Sequence, residues 1–164
     1  MHQMHPPSRN AVLILIGLSL VLHSSEEYFA FPIFFRSPSR LLQWLPTPVL
    51  LVNSHDFHLA LLMATVLPLA VVVWSVLRPT KFLLLSVLFL ELVLLVNAVW
   101  HIFAAVVNHG YVPGVITAAF INLPFGIYVL RRAVREHWIG TPAAWRMIAI
   151  AAVLHLAAVG SFLG

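Results

Sequence analysis

An all-α integral membrane bundle of about five transmembrane helices is the fold class that the sequence predicts, and three observations predict it. The 164 residues are 62% hydrophobic and only 9% charged, with a mean hydropathy of +1.00, outside the range of soluble domains. Apolar windows at 11–31, 57–77, 82–107, 111–130 and 143–163 each approach the roughly 20 residues that cross a bilayer. Breakers and basic residues separate those windows, as "RPTK" at 78–81 and "NHGYVPG" at 108–114 do. The organisation read from this is a disordered tail over 1–10 and one helical membrane domain over 11–164.

In chain order, the first window ends in Glu-Glu and aromatics where a cleaved signal peptide would carry small residues, so it reads as a retained span. The connection after Pro32 is broken by Pro38, Pro46 and Pro48, and its "LLQWL" segment suits a short interfacial piece with Trp44 at headgroup level. The second and third spans flank the tight 78–81 turn. Gly110, Pro113 and Gly114 break the chain before the fourth, and "RRAVREHWIGTP" joins the last two. An N-terminus on the cytoplasmic side places Arg9, Arg78, Lys81, Arg131, Arg132, Arg135 and Arg146 inside and only Arg36 and Arg40 outside. That asymmetry predicts N-in, C-out in a bacterial-type inner membrane. The high pI therefore reflects topology and not nucleic-acid binding. The chain has no cysteine, so disulfides, thiolate catalysis and cysteine-ligated metals are excluded.

Ionisable groups inside a span are costly, face the bundle interior and mark function by default. At ~1.5 Å per residue, His23 lies roughly 18 Å and Glu27 roughly 24 Å along the first span. The second span enters from that far side with His55, Asp56 and His58. The third reaches it with Asn97 and His101, the fourth starts there with Tyr111, and His155 of the fifth comes to the same half. Polar groups from five helices thus meet at one depth. His23, Glu26 and Glu27 share a helix face at i, i+3 and i+4, as do Asn97 and His101 at i, i+4. Imidazoles and carboxylates on such faces are the ligands of zinc or non-haem iron, and di-iron bundles combine Glu with Glu-x-x-His pairs. His23, Glu26, Glu27, His58 and His101 are the candidate metal ligands for one or two Zn or Fe ions. Glu26, Glu27 and Tyr111 are the candidate catalytic groups, with Asn97 and His55 orienting them. Asp56 reads as a helix N-terminal charge, Asn108 and His109 as turn residues, and His155 as a packing residue. Glu91 near mid-membrane has either a buried partner such as Asn122 or a chemical role.

Together "HSSEE" at 23–27, "NAVWH" at 97–101 and "YVPGVIT" at 111–117 resemble the HXXEE-motif membrane proteins, small multi-span bacterial proteins. Order and approximate spacing agree over residues 12 to 130. The resemblance implies a site at His23, Glu26, Glu27, Asn97, His101, Tyr111, Pro113 and Gly114, and implies no particular reaction. The residues fit a membrane metalloenzyme acting on a hydrophobic or lipid-like substrate drawn from the surrounding lipids, by zinc-type hydrolysis or di-iron-type oxidation. Two other functions fit them as well. In a metal-free site two adjacent carboxyls cannot both ionise easily, and a His–Glu pair could then isomerise or cyclise a sterol- or terpene-like molecule. A non-enzymatic ligand-binding or proton-coupled protein is the third. The sequence does not indicate an oligomeric state.

Overall fold

The computed structural model describes residues 7–36 and 54–161, and these form five long helices with no strand. They are α1 (Arg9–Arg36), α2 (Ser54–Leu77), α3 (Lys81–Asn108), α4 (Val115–Arg135) and α5 (Thr141–Ser161). All five are long and apolar enough to cross a membrane. The "LLQWL" piece and residues 1–6 of the predicted tail lie outside the described residues. Ser8 accepts from the Ala11 amide at 3.2 Å and starts α1, so the helix begins inside the predicted tail.

Each helix end has a local cause. Thr80 caps α3 by accepting from the Leu83 amide at 3.2 Å. His109 ends that helix in the left-handed region at φ 52°, with its own amide and that of Gly110 returning to Val106 and Ala105. The fourth helix starts later than the 111 expected from hydropathy, because Pro113 and Gly114 form a turn with Gly114 at φ 86°. It also runs further, to Arg135.

Inside α4, Ala118–Asn122 form a π-helical turn. Pro124 follows it; a proline lacks the amide that would bond one turn back, and its ring crowds the preceding carbonyls. The extra residue matters for facing. Thr117 and Asn122 are five apart, which sets them about 140° apart on a regular helix. The wider turn narrows that gap, so that both point into the bundle.

Packing divides the interior into three zones. At one end Leu13, Ile16, Val72, Val87, Val129 and Ala133 are buried together. At the other, Phe34, Ala104 and Val112 form a smaller cluster. Between them lie the buried polar residues Ser19, His23, Ser24, Glu91 and Asn122. The outer faces are apolar, with Leu62, Leu67 and Trp74 on α2 and Trp145, Val153 and Leu154 on α5 all more than half exposed. Such a surface suits lipid and not water.

Beside the 136–140 turn, the Arg132 side chain is buried. Its Nε donates to Glu136 at 2.7 Å, an Nη donates to the Tyr128 hydroxyl at 3.1 Å, and the guanidinium lies 5.3 Å from the Trp138 ring. A lysine cannot reproduce the fork and the stack together. Arg132→Lys is therefore expected to cost about 1–2 kcal/mol, read as a lower thermal unfolding midpoint in detergent, while Arg131→Lys on the exposed face leaves the midpoint within error.

Candidate metal centre

The polar zone is built from α1, α3 and the start of α4. Glu26 and Glu27 lie on the same side of α1 but meet different partners. Glu26 reaches the first turn of α4. Its Oε1 accepts from the Tyr111 hydroxyl at 3.0 Å and the Ile116 amide at 3.1 Å, and its Oε2 accepts from the Thr117 amide at 2.7 Å and hydroxyl at 2.6 Å. It is thus a cap supplied by a neighbouring helix, placing a carboxylate where free amides and the helix dipole favour one.

Thr117 passes that anchor on to His23. Because its hydroxyl proton goes to Glu26, its oxygen accepts from Nδ1–H of His23 at 2.8 Å. This network assigns the tautomer, leaving Nε2 as the ring's acceptor. Asn97 Nδ2 donates to that Nε2 at 2.7 Å. His23 is 2% exposed, so both ring nitrogens are satisfied inside the protein, as burial requires.

Glu27 points instead at two imidazoles. Its Oε1 is 3.1 Å from His101 Nε2 and 3.8 Å from His23 Nε2. The two rings meet edge to face with centroids 4.9 Å apart. One donor atom from each of His23, Glu27 and His101 lies within 4.8 Å of the others, so the group could hold a metal ion. Bonds of about 2.0–2.2 Å ask tetrahedral donors to stand roughly 3.2–3.6 Å apart, a few tenths of an ångström from the two separations above. The Asn97 amide would have to give way at Nε2. Side-chain exposure grades from 2% at His23 to 12% at His101 and 17% at Glu27, so an approaching molecule meets Glu27 and His101 first.

The other sequence candidates lie elsewhere. His58 donates from Nε2 to the Tyr28 carbonyl at 3.2 Å, which is the carbonyl that Pro32, four residues on and without an amide, leaves free. His55 pairs with Asp56 on the surface at 3.3 Å. Both histidines line a cavity of about 440 Å³ between α1 and α2, beside Ser25, Tyr28 and Leu62, outside the His23–Glu27–His101 group. His155 packs against Trp100, ring centroids 6.2 Å apart. Tyr111 and Asn97 touch the site through Glu26 and His23. The residue that sequence reasoning passed over is Thr117, although it closes the "YVPGVIT" motif and is the first polar residue after the Pro-Gly break.

Gly114 lets these parts meet. A Cβ there would stand 2.8 Å from His23 Cε1, 2.9 Å from His101 Cε1 and 3.1 Å from Glu27 Cγ, on a backbone at φ 86°. Space and conformation both exclude a side chain. Gly114→Ala is expected to cost about 1–3 kcal/mol in backbone strain alone and to push the three side chains apart. Circular dichroism melting reads the first effect, and the nitrogen chemical shifts of the two imidazoles read the second; unchanged shifts would contradict this account of the glycine.

A family model described as a protein of unknown function with HXXEE motif matches residues 14–129. No curated protein and no solved structure matches the chain. The matched span takes in "HSSEE" at 23–27, Asn97, His101 and the whole turn into α4. It covers well over half of the chain, which belongs to the HXXEE-motif family.

Proposed function

We propose that this protein is a membrane-embedded, single-ion metal-dependent enzyme acting on a hydrophobic, lipid-like substrate. The observation that carries the reading is the convergence of His23 Nε2, Glu27 Oε1 and His101 Nε2 with the far nitrogen of His23 already held by oxygen. Metal-binding histidines regularly donate their second N–H to an oxygen that fixes the ring, and Thr117 backed by Glu26 does this for His23. Two histidines and one carboxylate, with positions left open, are the donor set of catalytic zinc and of non-haem iron. The reading takes one ion and not two, because Glu26 is committed to α4 and no second carboxylate is left to bridge.

When bound, such an ion supplies either an activated water with Lewis-acid polarisation or, as iron, oxygen-dependent oxidation. The chain's own residues do the rest. Glu26, Thr117 and Tyr111 hold the His23 ring and its tautomer. Asn97 orients whatever occupies the space beside Nε2. Phe34, Ala104 and Val112 cover that end with apolar surface, and Glu27 and His101 face the incoming substrate. The basic residues support an N-in, C-out arrangement in a bacterial-type inner membrane, with the site in the outer half.

A second reading is favoured by Asn97, whose amide stands 2.7 Å from His23 Nε2, where an ion would bind. In it, Glu26, Thr117 and His23 form a metal-free acid–base chain.

Metal analysis of the protein purified without chelators separates the two. One equivalent of Zn or Fe, lost in His101→Ala and in Glu27→Gln, is expected. Thr117→Val should bind 10- to 100-fold more weakly, and His58→Ala should bind as the parent does. Absence of metal together with no thermal stabilisation by added Zn or Fe would rule out the metal reading and leave the acid–base chain. For the topology, the cysteine-free chain suits single-cysteine labelling. A cysteine at 109 should react with an impermeant maleimide from outside intact spheroplasts, and one at 79 only after lysis.

A further inference from the structure

The end of the bundle where α1 and α3 begin carries a basic cavity of about 300 Å³. Three separate stretches of chain build its wall. Arg9 comes from the start of α1, Thr80 and Lys81 from the turn into α3, and His137 with Trp138 from the turn after α4. Leu13 and Leu84, which belong to the buried apolar core, line it too. Along α3 it lies roughly 30 Å from His101, so it is separate from the candidate metal centre. Positive charges at a membrane end help to set topology wherever they stand. Topology alone does not gather them around one cavity.

No carboxylate answers those charges. The chain has five acidic residues. Glu26 and Glu27 meet the first turn of α4 and the two imidazoles, and Glu91 lies ten residues into α3. Asp56 opens the helix whose far end reaches the cavity, and Glu136 is bonded to Arg132 at 2.7 Å. The side chains of Arg9, Lys81 and His137 make no hydrogen bond or ion pair among the described residues. Ser75 lines the same cavity and is 1% exposed, yet its hydroxyl has no partner among those residues either. Thr80 uses its oxygen to accept from the Leu83 amide, which leaves its hydroxyl proton to donate.

That inventory selects the ligand. Arginine, lysine and the indole N–H can only donate, and the two hydroxyls and the imidazole have protons to add. The complementary molecule carries a negative charge and several acceptor oxygens, as a phosphate diester does. A guanidinium can grip it with two parallel N–H bonds, and an ammonium adds a point charge. Position decides where such a group comes from. The cavity lies where helices begin and turn, at the level of lipid headgroups, and basic pockets between membrane helices bind anionic headgroups. Trp138, held 5.3 Å from the Arg132 guanidinium, suits that level. His137 closes α4 at φ 57°, where a glycine would sit with less strain, and so brings one more nitrogen to the wall.

We propose that this cavity binds one phosphate diester, the headgroup of an anionic phospholipid, which ties the starts of α1 and α3 to the turn after α4. The site is independent of the His23–Glu27–His101 group and stands or falls without it.

Lys81 is the only lysine in the chain, so labelling lysine with ¹⁵N at Nζ gives a single ammonium resonance. The protein is reconstituted in vesicles of uncharged galactolipid, which contain no phosphorus, with a small molar excess of phosphatidylglycerol. Solid-state NMR then reads the dephasing of that resonance by ³¹P. Strong dephasing is expected in the parent protein. Arg9→Gln should need about fivefold more phosphatidylglycerol to reach it, and Arg131→Gln, outside the cavity, no more than the parent. Inorganic phosphate in place of the lipid should give none. Absence of dephasing in both parent samples overturns the proposal, and inorganic phosphate acting as strongly as the lipid overturns the lipid occupant. No change in Arg9→Gln, or an equal change in Arg131→Gln, overturns the cavity, because Lys81 is then meeting headgroups at large. The two parent samples need no variant, so poor folding of a variant does not protect the idea.

Discussion

The capping of α4 by Glu26 is the interaction on which the rest of the site depends. One carboxylate of α1 satisfies two backbone amides, a hydroxyl of Thr117 and the phenol of Tyr111. Free amides at a helix start have no water to turn to inside a bilayer, where each unsatisfied group costs several kcal/mol. Most membrane helices avoid the problem by starting at the interface. Here α4 starts after a Pro-Gly turn packed against two histidines inside the bundle, and its first amides take their acceptor from another helix. Glu26 supplies it and fixes the spacing and rotation of α1 against α4.

From that contact the geometry propagates by single atoms. Thr117 can present its oxygen to His23 because its proton is spent on Glu26. His23 then has one defined acceptor nitrogen, aimed at the space shared with Glu27 and His101. The π-helical turn that follows keeps α4 in register for a second purpose, turning Asn122 into the bundle and setting Gly126 against Glu91. A regular helix through the same residues would serve one of these contacts and misdirect the other. The irregular turn therefore belongs to the design of the polar zone, consistent with the frequent occurrence of π turns at functional sites.

Much of this was legible in the residues alone. Five spans follow from hydropathy, and the structure moves their ends by a few residues only, where Ser8 or Gly114 sets a start that a hydropathy window cannot see. Helical spacing and depth also singled out the side chains that converge, His23, Glu27 and His101. What could not be read was direction beyond one helix. His58 matches the depth of the site, but it answers a need created by Pro32, a carbonyl left without its amide, and that need is visible only once α1 and α2 are seen packed. Thr117 was hidden for a related reason. Its role exists only because α4 begins at a left-handed glycine, and a threonine near a helix start has many ordinary uses. The Glu91 and Asn122 pairing named from the sequence is not made as a hydrogen bond: both side chains are buried, and neither has a partner among the described residues.

The adjacent glutamates are the best measure of what packing adds. From sequence they are equivalent, two carboxyls on one face in a low-dielectric setting, where ionising both would be costly. The fold removes the equivalence by giving them different electrostatic surroundings. Glu26 meets the positive end of a helix and hydroxyl donors, and Glu27 meets two imidazoles. Neither has the other as its principal neighbour, so each carboxyl group is met by its own partners. The same division separates their chemistry. A carboxylate held by four donors has little lone-pair capacity left for an ion or a substrate, whereas Glu27 keeps an oxygen facing two nitrogens and a partly open side. Adjacency in sequence thus yields one residue that builds the site and one that is free to act in it.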